Sequence, residues 1–139
     1  MIVRKKRVGT HVCKPKLKRS LNNLYNFTTE MHALGLAPSS RILAFSTMHP
    51  PTKIAETLNI ASEDTVFRIE RLRLADGEPL LLETAYIPTY ICPDLTREQL
   101  NDSLYATISE CSGAAPMEAI ETYEATTLMK REAELLNVH

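Results

Sequence analysis

Apolar residues concentrate in two strand-like runs, 66–74 and 79–87, that flank Ala75-Asp76-Gly77-Glu78. An Asp-Gly between two such runs marks a hairpin. Upstream the spacing changes. Leu21, Leu24, Tyr25, Phe27, Met31 and Leu34 recur at three- and four-residue steps, which predicts a helix stopping at Gly35. The apolar run 42–48 suits a strand; Pro50 and Pro51 close it, and Pro51-Thr52 opens a short helix through Leu58. Beyond the hairpin, Pro88, Pro93 and Asp94 mark a loop. Thr96-Arg97-Glu98-Gln99 then has the form of a capping box before a helix over 97–109, with Leu100, Leu104 and Ile108 at helical spacing. Gly113 ends that region, 117–126 alternates as a strand, and 128–138 reads as a helix. At the start, 4–12 holds two short β-compatible runs meeting near Val8-Gly9-Thr10: a small basic β-ribbon, followed after Pro15 by a linker. A hairpin with separated helices predicts an α+β fold with a mostly antiparallel sheet.

Charge changes this picture more than composition does. Eight of the sixteen basic residues fall in positions 1–19, where there is no acidic residue; the remainder carries eight basic and seventeen acidic side chains. A leader at +8 therefore precedes a body at −9, a split that the net −1 conceals and that suggests a polyanion contact at one end. The 139 residues, 44% hydrophobic with four glycines, fit one ordinary domain and a small appendage. No apolar run approaches the ~18–20 residues needed to span a bilayer, and the basic start does not have the form of a secretory signal. The three cysteines, Cys13, Cys92 and Cys111, show no close spacing; reduced thiols in a cytoplasmic protein are expected. His11, His32, His49 and His139 lack metal-ligand spacing, and no phosphate-binding glycine loop or nucleophile elbow occurs, so neither metal, cofactor nor catalysis is expected.

Several segments resemble a known family. Arg4-Lys5-Lys6-Arg7-Val8-Gly9-Thr10-His11-Val12 resembles the end of the wing in GntR-type winged helix-turn-helix repressors, where basic residues precede Gly-Thr and a hydrophobic residue. Leu24-Tyr25-Asn26-Phe27-Thr28-Thr29-Glu30-Met31, with Gly35 and Pro38, looks like the first helix of the UTRA effector-binding domain of the HutC subfamily. Phe67-Arg68-Ile69-Glu70-Arg71-Leu72-Arg73, then Asp76-Gly77-Glu78-Pro79 and Glu83 to Pro88, resembles that domain's central hairpin, and Ser103-Leu104-Tyr105 a further characteristic triplet. In order and spacing these cover nearly the whole chain. The resemblance implies a remnant of the wing at 1–13, a linker at 14–20 and a UTRA domain at 21–139, with the family's recognition helices and last sheet strands outside the chain. It also implies a chorismate lyase-like α+β fold.

The function implied is that of an effector-sensing domain in a dimeric, DNA-binding transcriptional repressor. In relatives that bind phosphosugars, two hairpin arginines and a Ser-x-Tyr pair hold the phosphate. These match Arg71, Arg73, Ser103 and Tyr105; the glutamate that holds sugar hydroxyls matches Glu83, and Phe27 and Thr28 match pocket-lining positions. The expected ligand is a small anionic metabolite. DNA contact is expected from Arg4, Lys5, Lys6 and Arg7, with Gly9 and Thr10 letting the backbone come close. The chemistry agrees from below. Guanidinium forks suit phosphate, and Arg71 and Arg73, two apart, share a strand face with Phe67 and Ile69. Register decides whether Glu83 joins them. A two-residue loop would pair Arg71 with Leu82 and turn Glu83 away. A three-residue loop, with Gly77 as a left-handed bulge, pairs Arg71 with Leu81 and Ile69 with Glu83, and this second register is the one expected. Two other functions compete: a chorismate lyase-like enzyme, whose arginines would clamp a carboxylate, and a dimerisation module without a ligand.

Overall fold

Asp76 and Gly77 both have positive φ, 49° and 80°, and turn the chain between two long strands. In the computed structural model, which describes residues 3–7 (as backbone), 27–101, 103–113 and 127–138, this hairpin is the centre of the sheet. The first hairpin strand, β3 (Val66–Ala75), pairs with β4 (Glu78–Pro88), and β2 (Pro38–Met48) lies on the other side of β3. An N-terminal strand, β1 (Val3–Arg7), pairs with β4, giving an antiparallel sheet of order β1-β4-β3-β2. The basic run expected to form a small ribbon is thus, over its described half, an edge strand of the main sheet. Its backbone pairs with groups that β4 would otherwise leave open, a tertiary choice that local pattern does not encode. Residues 8–26 and 114–126, which hold the second half of the ribbon, the linker, the first turns of the 21–34 helix and the 117–126 strand, lie outside the described residues.

β3 is covered on both faces, and its side chains divide the core. Phe67 and Ile69, with Ala85 and Ile87 of β4, pack against Cys92, Leu95, Leu100, Leu104 and Ile108. Farther along that face, Leu81 and Ala75 meet Phe27 and Met31 of α1 (Phe27–Ala33). On the reverse face Val66 and Tyr86 pack against Ile54 and Leu58 of α2 (Thr52–Leu58), while Leu72 and Leu82 meet Leu136. The valine, leucine, isoleucine, methionine and phenylalanine side chains among these each contribute about 1.5–3 kcal/mol when fully buried.

Two helices differ from the sequence reading. The 97–109 helix is instead a 3₁₀ turn at Glu98–Asn101 followed by α3 (Leu104–Ser112). Gln99 Oε1 does accept from the Thr96 backbone N–H (2.9 Å), but Ser103 is extended (φ −64°, ψ 120°) and its hydroxyl accepts from the Ala106 N–H at 3.4 Å. A serine that caps a new helix cannot also continue an old one. The last helix, α4 (Lys130–Leu135), is shorter than 128–138 and lies on the reverse face; Arg131 donates to Glu70 of β3 at 2.6 Å. The Glu70 carboxylate, by that hydrogen bond first and its charge second, raises the Arg131 pKa above the usual arginine value.

The cysteine expectation is corrected. Cys92, just after β4, and Cys111, in the last turn of α3, form a disulfide, with Cα atoms 5.2 Å apart. They stand at a sequence separation of 19, and it is the packing of α3 on the sheet that brings them together.

Candidate functional site

The register differs from both alternatives drawn from the sequence. Ala75 pairs with Glu78 across a two-residue loop, and Leu74 with Pro79, but Arg73 pairs with Leu81. Leu80 is therefore bulged out, and from that point every pair is shifted by one. Arg71 lies opposite Glu83 and Ile69 opposite Ala85, where the expected three-residue loop would have placed Leu81 and Glu83. The bulge does what the longer loop was expected to do: Arg71, Arg73 and Glu83 share one face.

That face carries the three charges between the α1 cluster and the α3 cluster, and all three side chains are inside the protein. Arg71 is 0% exposed, Arg73 3% and Glu83 1%. Arg71 donates through Nε to Glu83 Oε2 at 3.0 Å, through Nη2 to the same oxygen, and through Nη1 to the Leu100 carbonyl at 3.1 Å. Arg73 Nη1 stands 3.8 Å from that carboxylate oxygen. Its Nη2 donates to Thr28 Oγ1 at 3.1 Å, and its guanidinium carbon lies 4.7 Å from the centre of the Phe27 ring, a cation–π distance. Two guanidiniums thus gather on one carboxylate oxygen beneath α1 and the 3₁₀ turn.

The structure therefore brings five of the seven sequence-predicted ligand residues together: Arg71, Arg73, Glu83, Phe27 and Thr28. Ser103 and Tyr105 flank the start of α3, three and five positions beyond the Leu100 that Arg71 holds, and both are half-buried. The Ser103 hydroxyl serves as the helix cap. Of the residues expected at DNA, Arg4, Lys5, Lys6 and Arg7 lie in β1 opposite Ala85, Thr84, Glu83 and Leu82, while Gly9 and Thr10 fall outside the described residues.

Sequence reasoning missed Ser40. It is the β2 partner of Arg73, so its side chain lies on the same face, and among the described residues its Oγ is buried without a hydrogen-bond partner. Nothing in the local pattern could find it, because its place depends on the β2–β3 register. The 3₁₀ wall is fixed to the sheet edge by Arg97, whose Nη2 donates to the Ile42 carbonyl at 3.1 Å, and to α3 by Thr107, whose Oγ1 donates to the Gln99 carbonyl at 3.0 Å.

An antiparallel sheet with helices on both faces defines an α+β architecture, and comparison with known proteins places it in a family. The chain belongs to the UTRA domain family, whose profile matches residues 33–139, the effector domain of GntR-type, HutC-like regulators. It is 27% identical over 138 residues to the HTH-type transcriptional repressor NagR of Bacillus subtilis, covering 99% of this chain and 57% of the relative. It is 26% identical over 102 residues to the mannosyl-D-glycerate transport/metabolism system repressor MngR of Escherichia coli, covering 73% and 42%. Among solved structures, the effector domain of PhnF from Mycobacterium smegmatis superposes with a TM-score of 0.73 at 27% identity, over 81% of this chain and 70% of that one. The chain thus spans about half the length of the curated relatives it matches.

Proposed function

We propose that this domain senses a small anionic metabolite, best fitted by a sugar phosphate, and that in the intact regulator this binding alters the DNA affinity of a repressor. The observation that carries the reading is the pair of buried guanidiniums sharing one carboxylate between α1 and the 3₁₀ turn. A phosphate dianion offers oxygens on several sides and suits two arginine forks at once. In the liganded state Arg71 and Arg73 hold the phosphate with Ser103 and Tyr105, Glu83 turns to sugar hydroxyls, and Phe27 and Thr28 close the remaining side. The names of two relatives support this class: both are repressors, and one acts on a mannosyl-D-glycerate system. Regulation rather than turnover is the role those relatives have, so no chorismate lyase activity is expected.

Coupling to DNA follows from linkage. A metabolite that binds one arrangement of the domain better than another shifts the population by its differential affinity, typically about 1–3 kcal/mol. In the intact protein, a cytoplasmic homodimer in this reading, the leader residues Arg4, Lys5, Lys6 and Arg7, with Gly9 and Thr10, would supply phosphate contacts on DNA.

Thermal unfolding of the chain with a panel of hexose 6-phosphates tests the reading. A ligand at 100 times its Kd should add about 2.7 kcal/mol of stability, and Arg73→Ala should abolish that gain while the variant still unfolds cooperatively. No stabilisation by any hexose phosphate at millimolar concentration, or an undiminished gain in Arg73→Ala, would reject it.

A further inference from the structure

The disulfide closes off one particular segment. Between Cys92 and Cys111 lie the 3₁₀ turn, whose Leu100 carbonyl accepts from Arg71, and all but the last two residues of α3. The two sulfur positions differ in access. Cys92 is 1% exposed within the apolar cluster, whereas Cys111 lies on the exposed end of its helix. A bridge with one buried and one surface-facing residue, spanning a wall of the charged site, has the arrangement of a couple that small redox reagents reach from one side.

We propose that Cys92 and Cys111 form a reversible, oxidant-responsive thiol pair whose disulfide clamps α3 and the 3₁₀ turn onto the sheet. The oxidant class is a hydroperoxide. The Cys111 thiolate attacks the peroxide O–O bond, takes one oxygen as a sulfenic acid and releases one water. The Cys92 sulfur then attacks the sulfenic sulfur and expels the second water. Two thiols and one hydrogen peroxide give one disulfide and two waters, a two-electron oxidation; a dithiol reverses it by exchange through a mixed disulfide. In the dithiol state α3 keeps the packing of Leu104 and Ile108 and the Thr107 hydrogen bond but loses its covalent tie, so its last turns open more often. The clamp does not depend on the anion reading, since its readouts involve no ligand.

The test uses the 139-residue chain, reduced with dithiothreitol, freed of it, and then treated with equimolar hydrogen peroxide. Alkylation in denaturant followed by intact mass should show three labelled thiols before oxidation and one after, Cys13 being the remaining one, with a 92–111 cross-linked peptide at any protein concentration. Amide exchange across 104–112 should slow at least threefold on oxidation and return on reduction. Cys111→Ser and Cys92→Ser should lose that change, and Cys13→Ser should keep it. Because Cys92 is buried, Cys111→Ser is the decisive variant, and its cooperative thermal unfolding serves as the folding control. Three labelled thiols after peroxide, a bridge through Cys13 or between molecules, or equal exchange in the two redox states would overturn the proposal.

Discussion

Glu83 holds more of the buried charge than any neighbour, since one of its oxygens meets both Arg71 and Arg73. Its removal leaves two guanidiniums inside the protein with that acceptor gone, so Glu83→Ala should destabilise the chain by about 3–5 kcal/mol, read by urea unfolding. A loss under 1 kcal/mol would mean that water or another acceptor replaces it freely. Ser40 makes the opposite case. Its buried hydroxyl has no partner among the described residues, so Ser40→Ala should leave stability unchanged or raise it by up to about 1 kcal/mol. A cap is worth little when its hydrogen bond is long. Ser103→Ala, at 3.4 Å, belongs at the low end of the range, roughly 0.5–1 kcal/mol by the same measurement.

Gly77 sits at φ 80° in the hairpin turn, and a Cβ built there meets no atom within 4 Å. Gly77→Ala should therefore cost only the left-handed backbone term, about 1–2 kcal/mol in a thermal or urea melt. The element is also anchored: Asp76 Oδ1 accepts from the Ala37 N–H at 2.8 Å, which ties the turn to the start of β2. This hairpin was the most legible part of the sequence because Asp-Gly and the strand-like runs beside it both act within a few residues. Its register was not legible. The shift comes from Leu80, an ordinary residue for a strand, and nothing about a leucine announces a bulge. The shared face of Arg71 and Arg73 followed from spacing alone, whereas Glu83 reached it by a route that the turn chemistry did not suggest. Serine favours helix starts, yet the capping box at 96–99 drew the predicted helix across Ser103. The pairing of β1 with β4 and the meeting of Cys92 with Cys111 depend on contacts far apart in sequence, where local pattern carries no information.

The sheet has two differently furnished sides, and the strand between them alternates charge as well as bulk. Glu70 faces α4 and Arg71 faces the 3₁₀ turn, so adjacent residues of β3 serve opposite layers. On the α4 side apolar contact outweighs the ion pair. The Arg131 side chain is 61% exposed, so solvent screens its bridge to Glu70 and Arg131→Ala should cost no more than about 1 kcal/mol. Leu136, 4% exposed against Leu72 and Leu82, should cost about 2–5 kcal/mol when cut to alanine. Chemical denaturation of the two variants side by side checks the ordering. On the other side, the guanidiniums lie beneath α1 and the 3₁₀ turn with almost no surface of their own. In the proposed reading a metabolite could not collide with them directly; the protein lid above them would have to lift first. Association should then be gated. In stopped-flow mixing, the observed rate should level off at high metabolite concentration at the speed with which the lid opens, where an open cleft would let it climb in a straight line.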